Sequence, residues 1–457
     1  MKKITGLLLS LLVNTVLAQK GYKIEGKLNA AIPTPIIITQ YYNNQNIPID
    51  TAFVKTDGSF VLDDTTDLES GIYRMNGIAK GFDFVIDKSQ KFSFSVNGSD
   101  IVGTIMFKNS PENTMLFDYQ KDLRQRYQKL NMYRQQTGIS SDKDPRWVSK
   151  FEAFNQEVKA KVDSILKRNP SSLTARFLKS YQEPQIPVLP LQKLSAADSL
   201  YLKEYALSHY FDNVFLNDSR MVNSPTFPKR LDTFLKTLPV LSKPQLFRTF
   251  DYVIDKTKGA ADSRRYVVSI MAQYFQNTSN TNYDALFGHI VEKYVEGEPE
   301  NWDASTLQKI KELKEIKQNM ELGSVFENFL MTDLNNTIKP LRELKNTFTL
   351  LMVYEPGCSH CREAMPKVVS YLKTSRQDIG VYAISVDPNE NALKTFIEQF
   401  GTQAFTNVRD VSGKMLWYKY GVNEYPTIYL LDNNKKLIAR YLKPEELAAT
   451  LEKFGKK

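Results

Sequence analysis

Residues 354–366 read YEPGCSHCREAMP and contain both cysteines of the chain, Cys358 and Cys361. A run of strand-forming residues ends at Tyr354, and a helical pattern covers residues 362–374. This order places Cys358 at the N-terminus of a helix, where unpaired N–H groups and the helix dipole favour a thiolate. Thiolates are the attacking species in disulfide exchange. We therefore predict that Cys358 attacks a disulfide and that Cys361, one turn further along, resolves the mixed disulfide.

His360 lies between the two cysteines and adds a second polar group to the turn. A protonated imidazole beside Cys358 would stabilise the thiolate further. The alternative is that His360 is a solvated turn residue. We predict a supporting role for His360 at this site.

A second proline motif, Tyr425-Pro426-Thr427, enters a predicted strand over residues 427–431. Cis peptide bonds occur almost only before proline, and prolines in sheets favour the first position of a strand. A cis bond would present the carbonyl and N–H of Tyr425 next to Cys358, where an extended peptide could pair. An ordinary trans proline at a strand entry is the alternative.

The sequence patterns over residues 19–457 predict a multidomain chain with three folded parts, the last of which contains the cysteines. Residues 319–457 alternate strand and helix in the order βαβα then ββα, which predicts an α/β sheet of mixed direction. Residues 111–318 carry apolar positions at helical spacing and are expected to form an all-α linker domain. Residues 19–110 form short alternating segments separated by turns, typical of an all-β sandwich or barrel. Within them, Asp57-Gly58 predicts a hairpin between residues 51–55 and 59–62.

The first 18 residues have the pattern of a signal peptide. Lys2 and Lys3 precede an apolar core over residues 4–17, and small residues follow at the processing positions. A chain of 457 residues with two cysteines does not use many structural disulfides. The net charge of +9 is spread without a compact basic block, so nucleic acid is not an expected partner. We expect a protein exported to the periplasm or cell envelope.

Together these residues resemble the thioredoxin superfamily. CREAMP at residues 361–366 and GVNEYPT at residues 421–427 are similar to motifs of the TlpA/ResA group of periplasmic thiol-disulfide oxidoreductases. The resemblance covers residues 319–457 and implies Cys358 as nucleophile, Cys361 as resolving thiol and Pro426 in cis. The remainder resembles a Bacteroidetes arrangement in which a β domain of unknown function and a helical domain come first.

This resemblance also implies the partners of the reaction. Members of the group usually reduce disulfides of periplasmic proteins, including apocytochromes during cytochrome c maturation, and receive electrons from a membrane-bound donor. The implied redox group is the Cys358–Cys361 disulfide itself, with no further cofactor and no metal.

Two positions depart from the thioredoxin pattern. Gly357 stands where thioredoxins have a tryptophan before the first cysteine, so the substrate platform differs. Met352 occupies the strand position of a buried aspartate that accepts a proton in thioredoxin. Glu355 is a candidate substitute for that carboxylate, and a surface glutamate without a role is the alternative.

Three alternative functions make different demands on the sequence. A peroxiredoxin would need Thr or Ser three residues before its reactive cysteine, where this chain has Glu355. A module for a soft metal could use Cys358, His360, Cys361 and Met365 as ligands. A non-catalytic scaffold of the cell envelope would bind partners through the β and helical regions.

Overall fold

The computed structural model describes residues 20–29, 34–187, 195–238, 241–276, 281–410, 412 and 415–455. The predicted signal peptide, residues 1–18, lies outside these ranges. In the described part, no helix combines the length and apolarity needed to cross a membrane. The chain divides into two compact units, Met1–Pro239 with Asp251–Tyr266, and Val240–Phe250 with Val267–Lys457.

The first unit begins with two four-stranded sheets, which confirms the predicted β region. The strands are β1 (Tyr22–Leu28), β2 (Ile36–Tyr42), β3 (Gln45–Ala52), β4 (Ser59–Asp64), β5 (Gly71–Asn76), β6 (Phe82–Ile86), β7 (Lys91–Val96) and β8 (Met106–Lys108). Their orders are β4-β1-β7-β8 and β3-β2-β5-β6. Phe82 of one sheet packs edge-on against Phe94 of the other, with ring centroids 5.7 Å apart. The two sheets therefore share an aromatic core as a sandwich and not as a closed barrel.

The predicted hairpin at Asp57-Gly58 is wrong. A tight turn does form there, because the Gly58 N–H donates to the Lys55 carbonyl at 2.9 Å. The strands on either side, β3 and β4, belong to different sheets, so the turn joins the two layers. The tight hairpin lies between β2 and β3 instead, where Asn43 and Asn44 both have positive φ, as a type I′ turn requires.

Helices follow the sandwich, as predicted for the middle of the chain. They are α1 (Ile101–Thr104), α2 (Pro111–Gln136), α3 (Pro145–Arg168), α4 (Leu173–Ser180), α5 (Ala196–His209), α6 (Phe227–Lys236), α7 (Lys243–Asp255), α8 (Ala261–Gln276), α9 (Thr281–Ile290) and α10 (Ala304–Asn319). The Ser172 hydroxyl caps α4 by accepting from the Ala175 N–H. Arg220 pairs with Asp87, directly after β6, at 2.9 Å, and helices α1 to α6 lie in the same unit as the sandwich.

A seven-stranded mixed sheet dominates the second unit. Its strands are β9 (Leu330–Thr332), β10 (Ile338–Pro340), β11 (Phe348–Tyr354), β12 (Ile379–Ser385), β13 (Thr406–Arg409), β14 (Thr427–Asp432) and β15 (Leu437–Ala439). The helices that come between or after the strands from β11 onward are α11 (Ser359–Thr374), α12 (Glu390–Phe400), α13 (Met415–Tyr420) and α14 (Leu447–Gly455). The strand order is β10-β9-β13-β12-β11-β14-β15, with β11 parallel to β12 and antiparallel to β14. This mixed direction is the predicted one.

The central strand β11 is buried along its whole length. Met352 and Tyr354 face a core that they share with α11, α12 and α14. Leu351 and Val353 face a second core, to which α13 contributes. Burial on both faces explains why this strand is a continuous apolar run without polar alternation.

An ion cluster inside the second unit joins helices α9 and α10 to the sheet. Asp284 of α9 pairs with Lys317 of α10 at 2.7 Å and with Arg440, which follows β15. Arg440 also donates to the Met320 carbonyl at 2.6 Å. The side chains of Arg440, Asp284 and Lys317 are only 4%, 11% and 15% exposed. The last two helices of the middle region are therefore packed as part of this unit.

Candidate active site

The two cysteines lie at the start of α11 and differ in exposure. Cys358 occupies the N-cap position and is partly exposed, whereas Cys361 is fully buried one turn further along. The Cys358 N–H donates to the Glu355 carbonyl at 3.1 Å, and the Cys358 carbonyl accepts from the Arg362 N–H at 3.1 Å. The loop after β11 thus turns directly into the helix, as the sequence predicted.

The environment of Cys361 disfavours its charged form. Burial raises the pKa of the Cys361 thiol to about 12; a hydrogen bond with the Glu355 main chain opposes this rise. A hydrogen bond with the Cys358 side chain and the charges of Cys358 and Glu355 raise it further. Neither cysteine forms a disulfide in this structure.

Pro426 lies next to the reactive sulfur. The Tyr425–Pro426 peptide bond is cis. The Cys358 thiol donates to the Tyr425 carbonyl at 3.6 Å, which brings together the two loops that the sequence predicted to meet. A hydrogen bond within the loop that contains Pro426 stabilises it, because the Thr427 hydroxyl donates to the Glu424 carbonyl at 2.6 Å. Burial raises the pKa of Tyr425, and the negative charges of Glu355, Asp410 and Cys361 add to this shift.

Glu355 and His360 are both exposed at this end of the sheet. The Glu355 charge acts on both Cys361 and Tyr425, so this carboxylate lies within electrostatic reach of the site. Met352 lies in the same buried core as Cys361, which leaves no carboxylate at that strand position. His360 lies in the first turn of α11, and its predicted role in stabilising the thiolate stays a prediction.

Arg362 and Tyr354 were not predicted as members of the site. The Arg362 guanidinium donates to the Pro356 carbonyl at 3.2 Å and lies 5.5 Å from the centre of the Phe400 ring, so it ties the cysteine loop to α12. Tyr354 ends β11, and its ring stacks on Phe396 with centroids 4.8 Å apart. Their adjacency to the cysteine motif was the available signal, and nothing in the sequence shows which way either side chain points.

Groups of three or more His, Cys, Asp or Glu side chains that could hold a metal ion are absent from the described ranges. The cysteine motif itself offers the chemistry of two thiols one helical turn apart. Cys358 is partly exposed at the start of the helix, and Cys361 is buried in the core behind it.

Comparisons with known proteins match the two later regions of the chain separately. Residues 322–440 match the model of the AhpC/TSA family, and residues 150–319 match a domain of unknown function, DUF5106. A thiol-disulfide oxidoreductase ResA of Bacillus anthracis is 29% identical over 142 residues, which cover 31% of this chain and 80% of that protein.

Solved structures resemble the same region. A domain of a "possible thiol-disulfide isomerase" from Cytophaga hutchinsonii is 29% identical and covers 30% of this chain and 95% of its own, with a TM-score of 0.28. A thioredoxin-like protein from Bacteroides caccae is 17% identical and covers 60% of this chain and 99% of its own, with a TM-score of 0.45.

Proposed function

We propose that this chain is an exported thiol-disulfide oxidoreductase. Its C-terminal domain is thioredoxin-like and has thiol-disulfide oxidoreductases as homologues. It exchanges disulfides with proteins of the periplasm or cell envelope through Cys358 and Cys361. The observation that carries this proposal is the contrast between the two sulfurs, one partly exposed at a helix N-terminus and one fully buried behind it.

This contrast supports a two-step exchange with fixed roles. The Cys358 thiolate attacks one sulfur of a substrate disulfide, the substrate S–S bond breaks, and a mixed disulfide forms. Cys361 then loses its proton and attacks the Cys358 sulfur, which releases the second substrate thiolate. Two electrons pass to the substrate, and the chain is left with a Cys358–Cys361 disulfide. Glu355 is the proposed acceptor of the Cys361 proton, because its carboxylate is exposed and acts electrostatically on that thiol.

The reducing direction is part of the proposal. Resemblance to the TlpA/ResA group supports a dithiol that reduces disulfides of periplasmic proteins, including apocytochromes. A membrane-bound electron donor then reduces the resulting Cys358–Cys361 disulfide. In this scheme the cysteine pair is the redox group, and no other cofactor takes part. The Tyr425 carbonyl, 3.6 Å from the Cys358 sulfur, supports docking of an extended substrate segment beside Cys358.

Trapping with Cys361→Ser tests the proposal. The variant keeps the attacking thiol and lacks the resolving thiol, so we expect it to accumulate mixed disulfides with envelope proteins. Cys358→Ser is the matched control and should capture none. Capture of nothing by Cys361→Ser, together with no reduction of insulin by the wild-type chain, would contradict the proposal. Peroxide consumption or stoichiometric metal in the purified protein would instead support a peroxidase or a metal-binding module.

A further inference from the structure

Tyr354 carries a polar group without a partner in the core of the second unit. Its side chain is fully buried, and its hydroxyl has no hydrogen-bond partner among the described residues. Buried polar groups in native proteins are normally paired, so an unpaired hydroxyl at this place calls for a functional explanation. Stacking on Phe396 holds the ring at the end of β11, directly before the cysteine loop.

Cys361 lies in the same buried core as Tyr354. The fully buried members of this core include the apolar side chains Met352, Met365 and Val368. Resolution requires a negative sulfur in exactly this environment, where a charge is poorly solvated. Burial is the main cause of the raised pKa of Tyr354, and the Cys361 charge is the second.

We propose that Tyr354 donates its O–H as a hydrogen bond to the Cys361 thiolate that forms when the mixed disulfide is resolved. This inference rests on the exchange reaction proposed above. The Cys361 proton leaves for solvent by way of Glu355, the sulfur electron pair attacks Cys358, and the substrate thiolate departs. Tyr354 keeps its own proton throughout and stabilises the anion. The hydroxyl has no partner among the described residues in the resting structure, so this hydrogen bond forms only with the thiolate. Active-site hydrogen bonds that become well aligned only during the reaction are common.

A neutral hydroxyl suits this position better than a carboxylate would. A carboxylate buried beside Cys361 would be poorly solvated in its charged form, whereas the tyrosine hydroxyl is neutral and can donate to the thiolate without changing its own charge. Proton acceptance and anion stabilisation are then divided between the exposed Glu355 and the buried Tyr354. This division explains how Met352 can occupy the core strand without blocking resolution.

Tyr354→Phe tests the inference in the full chain, with an aromatic disulfide such as dithionitrobenzoate as the probe. Attack by Cys358 releases a first coloured thiolate, and resolution by Cys361 releases a second. Tyr354→Phe should leave the first release unchanged and slow the second about tenfold, the effect of losing one hydrogen bond to a charged atom. The substitution removes only an unpaired oxygen, so we expect no loss of thermal stability.

Tyr429→Phe is the matched control. Tyr429 is also fully buried with an unpaired hydroxyl, but it lies in the core on the opposite face of the sheet. Equal slowing by both variants, or a normal second release in Tyr354→Phe, would overturn the inference. Absence of any release from the wild-type chain would instead overturn the proposed function. As an independent readout, in a Cys358→Ser background Tyr354→Phe should move the alkylation profile of Cys361 to higher pH.

Discussion

Replacing Asp284 by Ala should destabilise the unit that holds the cysteine site, although Asp284 lies before residues 322–440, the part that matches the AhpC/TSA family. Its carboxylate is the shared partner of Lys317 and Arg440, and all three side chains are nearly buried. Removal of the carboxylate leaves two cations side by side in the interior. Breaking a buried ion pair by deleting one partner costs about 3–5 kcal/mol. We expect a loss of unfolding free energy in this range.

The loss should also depend on pH. Burial lowers the pKa of Lys317 from 10.5, and the hydrogen bond and charge of Asp284 oppose that shift. Without Asp284 the pKa of Lys317 falls further. Between the lowered pKa and 10.5, the unfolded chain binds the Lys317 proton more often than the folded chain does, so stability rises with pH. Asp284→Ala should therefore lose less stability in mildly alkaline buffer than at neutral pH.

Amide hydrogen exchange along β11 is the suitable assay, because exchange of core amides reports the opening of this unit by itself. Glu445→Ala is the control in the same unit, since the Lys367–Glu445 pair has side chains 57% and 59% exposed. Such surface pairs contribute little to stability, because solvent screens the two charges. If Asp284→Ala costs no more than Glu445→Ala and shows no pH dependence, the buried cluster does not join α9 and α10 to the sheet as described.

Three further changes test other parts of the structure. In the reduced protein, alkylation should label Cys358 first and Cys361 only as the pH approaches 12, because burial raises the pKa of Cys361. Equal labelling of both cysteines at about pH 8, measured by peptide mass spectrometry, would contradict this. Gly71→Ala should cost about 1–3 kcal/mol in denaturant melts, since a Cβ there would lie 2.5 Å from the Cβ of Asn223; unchanged stability would show that the two segments separate readily. Asn113→Ala should cost about 2–4 kcal/mol, because the buried amide bonds both the N–H and the carbonyl of Val85, at 2.7 and 2.8 Å; a midpoint shift no larger than that of a surface alanine variant would refute it.

The cysteine site could be predicted because its determinants are local in sequence. A strand, a short loop and a helix occupy residues 348–374 without interruption, and the chemistry depends on where that helix begins. The second loop, around Pro426, was placed beside the first by the resemblance to the thioredoxin superfamily. In the structure the two loops meet because β14 pairs antiparallel with β11, a pairing that the sequence analysis did not predict.

Features that depend on partners far along the chain could not be predicted. Asp57-Gly58 has the chemistry of a hairpin turn, but sheet membership is decided by the strands that pair with β3 and β4. Asp284 and Arg440 are separated by 156 residues, and each alone resembles an ordinary surface charge. The short strands β9, β10 and β13 have three or four residues each, too few for a periodic pattern to show.

Tyr354 shows why one residue that we propose for the second step of the proposed exchange could not be predicted from the sequence. In a strand buried on both faces, every apolar side chain satisfies the pattern, so tyrosine and phenylalanine are equivalent to any argument from periodicity. Only the structure distinguishes them, because it shows the hydroxyl buried without a partner in the core that contains Cys361. The first step needs features that follow from the start of a helix. The second needs a charge in the interior, and what stabilises that charge depends on side chains that the fold brings together. Variants that alter resolution without altering attack are therefore expected among buried residues of this core, with Tyr354 the first to test.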